Sequence, residues 1–331
     1  IGDAGLDAQV SVSQIGGDLR GQPLGGGLEA RVTPGRMELD TLGLTWGSAL
    51  VTASGVVADE LALAFALDVP DLGLAVPGGG GSVRAEGTVV GTRQEPRLDT
   101  EFDANELRTE AAALADARGR FSIDLSPGAT STVDLRAESM SAGEQEVDSQ
   151  ILSGSGTRES HALELRAHSG ESRVTAGVSG RLLNVSSEVG DSAGAPPTAS
   201  PTRSAPPTWE GSLDSLVAYA EAAGEWRLSD PALVLASAEA ASLGTACLAR
   251  EASRVCLGGS WDRSAGSRGE LSIVALPLEL ARESLPENVD IAGQVDGDAR
   301  FAMAGDGALS GDGAITVVGT IDATVGTEVQ S

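Results

Sequence analysis

The sequence contains no lysine, only two histidines and only two cysteines. All of its 22 basic side chains are therefore arginines, set against 48 acidic residues for a formal charge of −26. An excess of that size repels nucleic acid and anionic bilayer surfaces and favours solubility, so nucleic acid is not an expected partner. Aromatic residues make up 3% of the 331 positions, and aromatics normally dominate core burial. That scarcity argues against a thick, closely packed globule. No stretch approaches the roughly 20 apolar residues of a membrane-spanning helix, and no basic start with a cleavage site marks a signal peptide. The chain opens at Ile1 in mid-pattern and stops at Ser331 after another patterned run. It is expected to be an excerpt of a longer protein, and these absences then say nothing about location.

Catalytic and metal-binding chemistry is also thin. His161 and His168 are seven residues apart, on opposite faces if they share a strand, which makes them poor co-ligands. A Ser-His-Asp or Cys-His arrangement has no support. Acidic-glycine runs such as "VDGDA" and "AGDGALSGDGA" lack the EF-hand pattern and the serial nonapeptide repeat, and Asp-Gly hairpin turns explain them more cheaply. Neither "PGGGGS" nor "LGGGLE" carries the Lys-Ser/Thr ending of a phosphate loop. The chain is not expected to be an enzyme, and no cofactor or metal is expected.

What is present is small and aliphatic. The hydrophobic share is 41%, mostly Ala, Val and Leu, and glycine occupies 44 positions, nearly twice the usual share of about 7%. Apolar and polar residues alternate in segment after segment, the period of a strand with one buried face. "SVRAEGTVVGT" puts Val83, Ala85 and Val89 on one face, and "RLDTEFDA" does the same for Leu98 and Phe102. "TVDLRAE" aligns Val133 with Leu135, "HALELRAH" aligns Leu163 with Leu165, and "GELSIVA" aligns Leu271 with Ile273. The longest run, "VDIAGQVDGDARFAMAG", sets Val289, Ile291, Val295, Phe301 and Met303 against Asp290, Gln294, Asp296 and Arg300. The chain reads as all-β and antiparallel, one face oily and the other wet. So few large side chains cannot easily fill an ordinary sandwich, so another chain or a ligand is expected to fill the gap. Two stretches stand apart by composition as candidate helices, "LDSLVAYAEAAGEW" (213–226) and, more weakly, "NELRTEAAALADARG" (105–119).

Residues 190–208, "GDSAGAPPTASPTRSAPPT", form a Pro/Ala/Ser-rich stretch that reads as an extended linker or a loop between two strands. It divides the chain into a β-segment over 1–189 and a second over 209–331. Residues 69–89 and 276–297 echo each other, each with an apolar-Pro start, a second proline and a Gly-bearing strand, which suggests repeated supersecondary units in an elongated stack. The cysteines sit in "TACLAREASRVCLGG". If this folds as a hairpin around Glu251 and Ala252, Cys247 lies opposite Cys256 at a non-hydrogen-bonded position, where Cα atoms approach to about 4.5 Å and a disulfide fits. The alternative is two buried, unpaired thiols.

The order of pieces resembles the TamB family of the AsmA-like superfamily. "GDLRGQPLGGGLEARV", "LDTLGLTWGSALVTASGVV" and the run from "LALAFALDVPDLGLAVPGGGG" to "FDANEL" carry the resemblance in the first part. In the second part Trp209, Trp226, Pro231, Cys247, Cys256, Trp261 and Pro277 occur in the family's order. The resemblance is weakest over 108–205, and the Pro-rich stretch departs from it. It implies an elongated, curled antiparallel sheet forming a taco-like hydrophobic groove in the periplasm. It also implies phospholipid as the guest, a TamA-type outer-membrane barrel as partner, and membrane anchoring through an N-terminal helix outside this chain. On that reading the alternating residues named above line a lipid groove, and the function is phospholipid movement between the two membranes in support of autotransporter and outer-membrane protein assembly. Two other readings stay open: an assembly scaffold that adds strands to a client, and a secreted adhesin-like β-solenoid.

Overall fold

The computed structural model describes residues 7–143, 145–183, 208–284, 289–305 and 307–323. The chain divides into two compact units, Ile1–Gly170 and Glu171–Ser331.

The first unit is a meander in which each strand pairs antiparallel with the next. Its strands are β1 (Ala8–Leu19), β2 (Gln22–Thr33), β3 (Arg36–Trp46), β4 (Ala49–Val57), β5 (Glu60–Val69), β6 (Gly80–Thr92), β7 (Pro96–Arg108), β8 (Ala112–Asp124), β9 (Ser131–Ala142), β10 (Gln145–Gly156) and β11 (His161–Ser169). The second unit continues with β12 (Ser172–Leu183), β13 (Thr208–Ala220), β14 (Gly224–Leu228), β15 (Ala232–Ser237), β16 (Ala240–Arg250), β17 (Ser253–Asp262), β18 (Gly266–Pro277), β19 (Val289–Met303) and β20 (Leu309–Ala323). The all-β antiparallel class expected from the alternation is the observed one.

Both compositional helix candidates are strands. Residues 213–220 continue β13, bonded along β12 and β14, and 224–226 open β14. Residues 105–108 end β7 and 112–119 begin β8. Alanine-rich composition favours helix locally, but the ladder bonds available on both sides of each segment outweigh that preference. β14 and β15 share the space between β13 and β16, and Pro231, lacking an N–H, lies in the gap between them. Residues 190–207 lie outside the described set; β12 and β13, which flank them, pair directly, with Leu183 opposite Thr208.

Sizeable contacts run between ladder neighbours, and between two 3₁₀ segments and the strands β6 and β19. Those segments, Leu72–Leu74 and Leu278–Ser284, put both echoing stretches on the same strand–3₁₀–strand unit. Among the described residues no large side chain is fully buried, and the few buried apolar ones include Ala30, Leu39 and Ala104 in the first unit and Trp226, Ala232 and Ile291 in the second. No helix among the described residues is long and apolar enough to cross a membrane.

Bulges preserve the facing. In "MELDTLGLTW" the alternation skips one residue between Leu39 and Leu42, and the β3–β4 register shifts at that point, so Leu39, Leu42 and Leu44 share a face. Gly55, opposite both Leu39 and Leu63, takes φ +129, and a Cβ there would strike the Ala62 carbonyl oxygen. Gly55→Ala is expected to cost about 1–3 kcal/mol from backbone strain alone, read as a lower urea midpoint for the purified chain.

Candidate functional site

Residues directly opposite in an antiparallel pair share a face, so the registers trace rungs across each unit. One rung takes a residue from every strand of the first unit: Ile15, Gly26, Leu44, Val51, Leu67, Ala85, Phe102, Gly119, Leu135, Leu152 and Leu165. All are apolar or glycine. At a strand spacing of about 4.8 Å the rung runs about 48 Å along the sheet. A parallel rung holds Val12, Leu28, Leu42, Ala53, Phe65, Gly87, Thr100, Phe121, Val133, Gly154 and Leu163. Its polar exception, Thr100, is 7% exposed, and its hydroxyl has no hydrogen-bond partner among the described residues. Val83, Val89 and Leu98 join the same face, Val83 opposite Ala104 and Val89 opposite Leu98.

The second unit repeats the arrangement. Leu257, Leu271 and Ala299 form one rung; Leu248, Val255, Ile273, Gly297 and Ile315 form the next. Phe301 lies opposite Gly269 and Gly311, and Met303 opposite Ser267 and Leu309. Val295 faces Leu276 and Val317, and Ile291 pairs with Ile321. The backbone of Val289 pairs with Ala323, while its side chain lies outside the described ones. Within each unit, then, the other alternating residues picked out by sequence fall on one face. Leu61, Leu63, Phe65 and Leu67 on β5, and Trp209 and Trp261, lie on these faces as well and were not among the expected residues. Plain alternation in "LALAFAL" was the available signal on β5.

This face stays open to solvent. Phe301 is 43% exposed, Trp261 41% and Leu165 38%, values unusual for large side chains that have found a core.

The opposite face is charged. The rung behind Phe102 and Leu135 reads Glu86, Glu101, Arg120, Asp134, Ser153 and Glu164. Directly opposed charges pair as Arg84–Asp68 at 3.3 Å, Arg120–Glu101 at 2.7 Å and Arg181–Glu210 at 2.7 Å. Arg97 donates two hydrogen bonds to Asp99, at 2.9 and 3.0 Å, and together with Ser122 holds the Asp99 carboxyl below the usual carboxylate range. The described concavities also lie on this side, one edged by Glu101, Asp103, Arg118 and Arg120, another by Arg268, Glu270, Arg300 and Asp312.

Cys247 and Cys256 sit on the charged face of the second unit, directly opposite each other and joined by a disulfide, Cα–Cα 4.0 Å. Arg250 and Ser253 close the hairpin around Glu251, which takes φ +52. The histidines are not brought together: the His161 Nδ1 lies 2.9 Å from the Thr157 carbonyl oxygen, and His168 lies 3.8 Å from Asp148 on the other face.

The family described as TamB, N-terminal domain, matches residues 2–188, the first unit together with β12. No solved structure matches the chain.

Proposed function

Because the chain belongs to the TamB family, we propose that its apolar faces carry the acyl chains of phospholipids across the periplasm between the inner and outer membranes. This transport supports the assembly of autotransporters and other outer-membrane proteins. The observation that carries the reading is the rung from Ile15 to Leu165, apolar or glycine in every strand of the first unit, on a face that leaves large residues exposed. Covering such a surface with hydrocarbon gains about 0.8 kcal/mol for each CH₂ removed from water. Aliphatic side chains give that gain without a fixed anchor, which suits a passing guest. No step in this function calls for a catalytic side chain. The curl of the sheet into a groove, the TamA-type partner and an inner-membrane anchor belong to the same reading.

The test is direct. The purified chain is incubated with vesicles of phosphatidylethanolamine and phosphatidylglycerol, separated from them and examined by native mass spectrometry. Bound phospholipid is the expected result; a chain recovered free of lipid from every vesicle composition would sink the reading.

A scaffold reading draws on a different observation. β20 pairs with β19, and Leu309, Ile315 and Val317 on it are 76%, 75% and 59% exposed; such an edge can add a client strand. A proline at Val317, whose N–H points away from β19, would then block client assembly while leaving lipid capture intact.

A further inference from the structure

Glycine inside a strand costs backbone entropy and leaves nothing to pack, yet both units place it repeatedly on the apolar face. Gly87, Gly119, Gly154, Gly180, Gly211 and Gly269 all have ordinary negative φ, so the dihedrals do not require glycine at any of them. At Gly87, Gly154, Gly180 and Gly211 a Cβ would also strike a backbone carbonyl oxygen, whereas at Gly119 and Gly269 it would strike side chains alone. Their shared feature is a large apolar side chain lying on top. A Cβ at Gly87 would sit 2.8 Å from the Phe65 ring, and one at Gly119 would strike the Leu135 Cδ2 methyl and sit 2.7 Å from the Phe102 ring. The Leu163 side chain occupies the same space over Gly154. In the second unit the Trp209 indole covers Gly180 and Gly211, and the Phe301 ring covers Gly269. Uncovered strand glycines occur on both faces: Gly16 and Gly43 on the charged face and Gly17 on the apolar face have nothing within 4 Å of a Cβ, and Gly177 on the charged face meets the Ser215 hydroxyl.

We propose that these covered glycines are positioning residues that keep the apolar face level, and that levelness sets how fast a linear hydrocarbon chain moves across it. The inference rests on the lipid-carrying reading above. With no Cβ beneath it, each ring lies down on the neighbouring strand instead of standing up from the sheet. A methyl group at Gly119 or Gly269 lifts the ring into the guest's path. The apolar area offered to the guest stays nearly the same, but a gap of 0.5–1 Å beside the raised ring forfeits about a quarter to a half of the local dispersion contact. A guest then meets a barrier at each raised ring while its total gain from burial is little changed.

The test measures two quantities on the same purified chain: the amount of pyrene-labelled phosphatidylethanolamine captured from donor vesicles, and the rate of its release to acceptor vesicles. Gly119→Ala and Gly269→Ala are expected to capture within about twofold of wild type and to release at least about threefold more slowly. Gly43→Ala, on the charged face, is expected to match wild type in both. Phe301→Leu combined with Gly269→Ala restores room and is expected to restore the rate. If Gly269→Ala fails to fold, Phe301→Trp raises the same spot without touching the glycine and is expected to slow release likewise. Release at the wild-type rate from folded Gly119→Ala and from folded Gly269→Ala or Phe301→Trp, with capture intact, would overturn the levelling role and leave the lipid reading standing. A wild-type chain that captures no phospholipid would overturn both.

Discussion

Leu135→Asp is expected to reduce phospholipid capture at least about a hundredfold while leaving the melting temperature within a few degrees of wild type. Leu135 lies on the apolar rung, opposite Gly119 and Leu152. Burying a leucine side chain against hydrocarbon contributes about 1.5–3 kcal/mol. A carboxylate at that position must also be stripped of water against acyl chains, with no partner to compensate, at a further cost of several kcal/mol. Either contribution approaches or exceeds the roughly 2.7 kcal/mol that corresponds to a hundredfold loss. Folding is affected far less, because Leu135 is only half-buried in the free chain and an aspartate there remains hydrated. Thr132→Asp, three residues away on the charged face between Ser122 and Ser155, is expected to change neither quantity. Equal losses for both substitutions would point to charge repulsion by an already acidic chain, not to an acyl-binding face.

Removing the disulfide is expected to weaken the second unit by about 2–3 kcal/mol, as the loop-entropy relation gives for a closed loop of this size. Cys247 and Cys256 are nine positions apart, a short loop, so the gain per cross-link is near the low end of its usual range. Hydrogen exchange separates this effect from a general loss of stability. In the Cys247→Ser, Cys256→Ser variant, amides of β16 and β17 are expected to lose protection while those of β5–β8 keep theirs. Unchanged protection in the hairpin would show that the ladder alone fixes its register. Because the bridge lies on the charged face, lipid capture is expected to survive.

The facing of each strand was legible because a period of two leaves little freedom. Once Val83 and Ala85 share a face with Val89, a one-residue slip would expose the whole set, and the registers place Leu98, Phe102, Val133 and Leu135 alongside them. The hairpin register was legible for the same reason, since a two-residue turn at Glu251 and Ala252 sets Cys247 opposite Cys256 by counting. β5 was harder to read. In "LALAFAL" the alanines at 62, 64 and 66 make both faces apolar, so the signal is only large against small, and pairing with β6, where Ala66 lies opposite Glu86 and Leu67 opposite Ala85, shows which face is which. The stretch 213–226 was misread because alanine content reports intrinsic helix preference, whereas pairing with β12 and β14 decides the outcome. The glycine floors were invisible as well. A glycine count does not reveal that Phe102 lies over Gly119 or Phe301 over Gly269, because that depends on cross-strand register.

The central claim is that hydrocarbon travels on one face of the sheet and not on the other, and site-specific photo-crosslinking in cells addresses it most directly. A photoreactive residue would be placed in turn at Phe102, Leu135 and Leu165, which share a rung on the apolar face, and at their immediate neighbours Glu101, Asp134 and Glu164, which share the rung behind it. Phospholipid adducts at the first three positions and none at the second three are the expected result. Adducts at neither set, or equally at both, would contradict it.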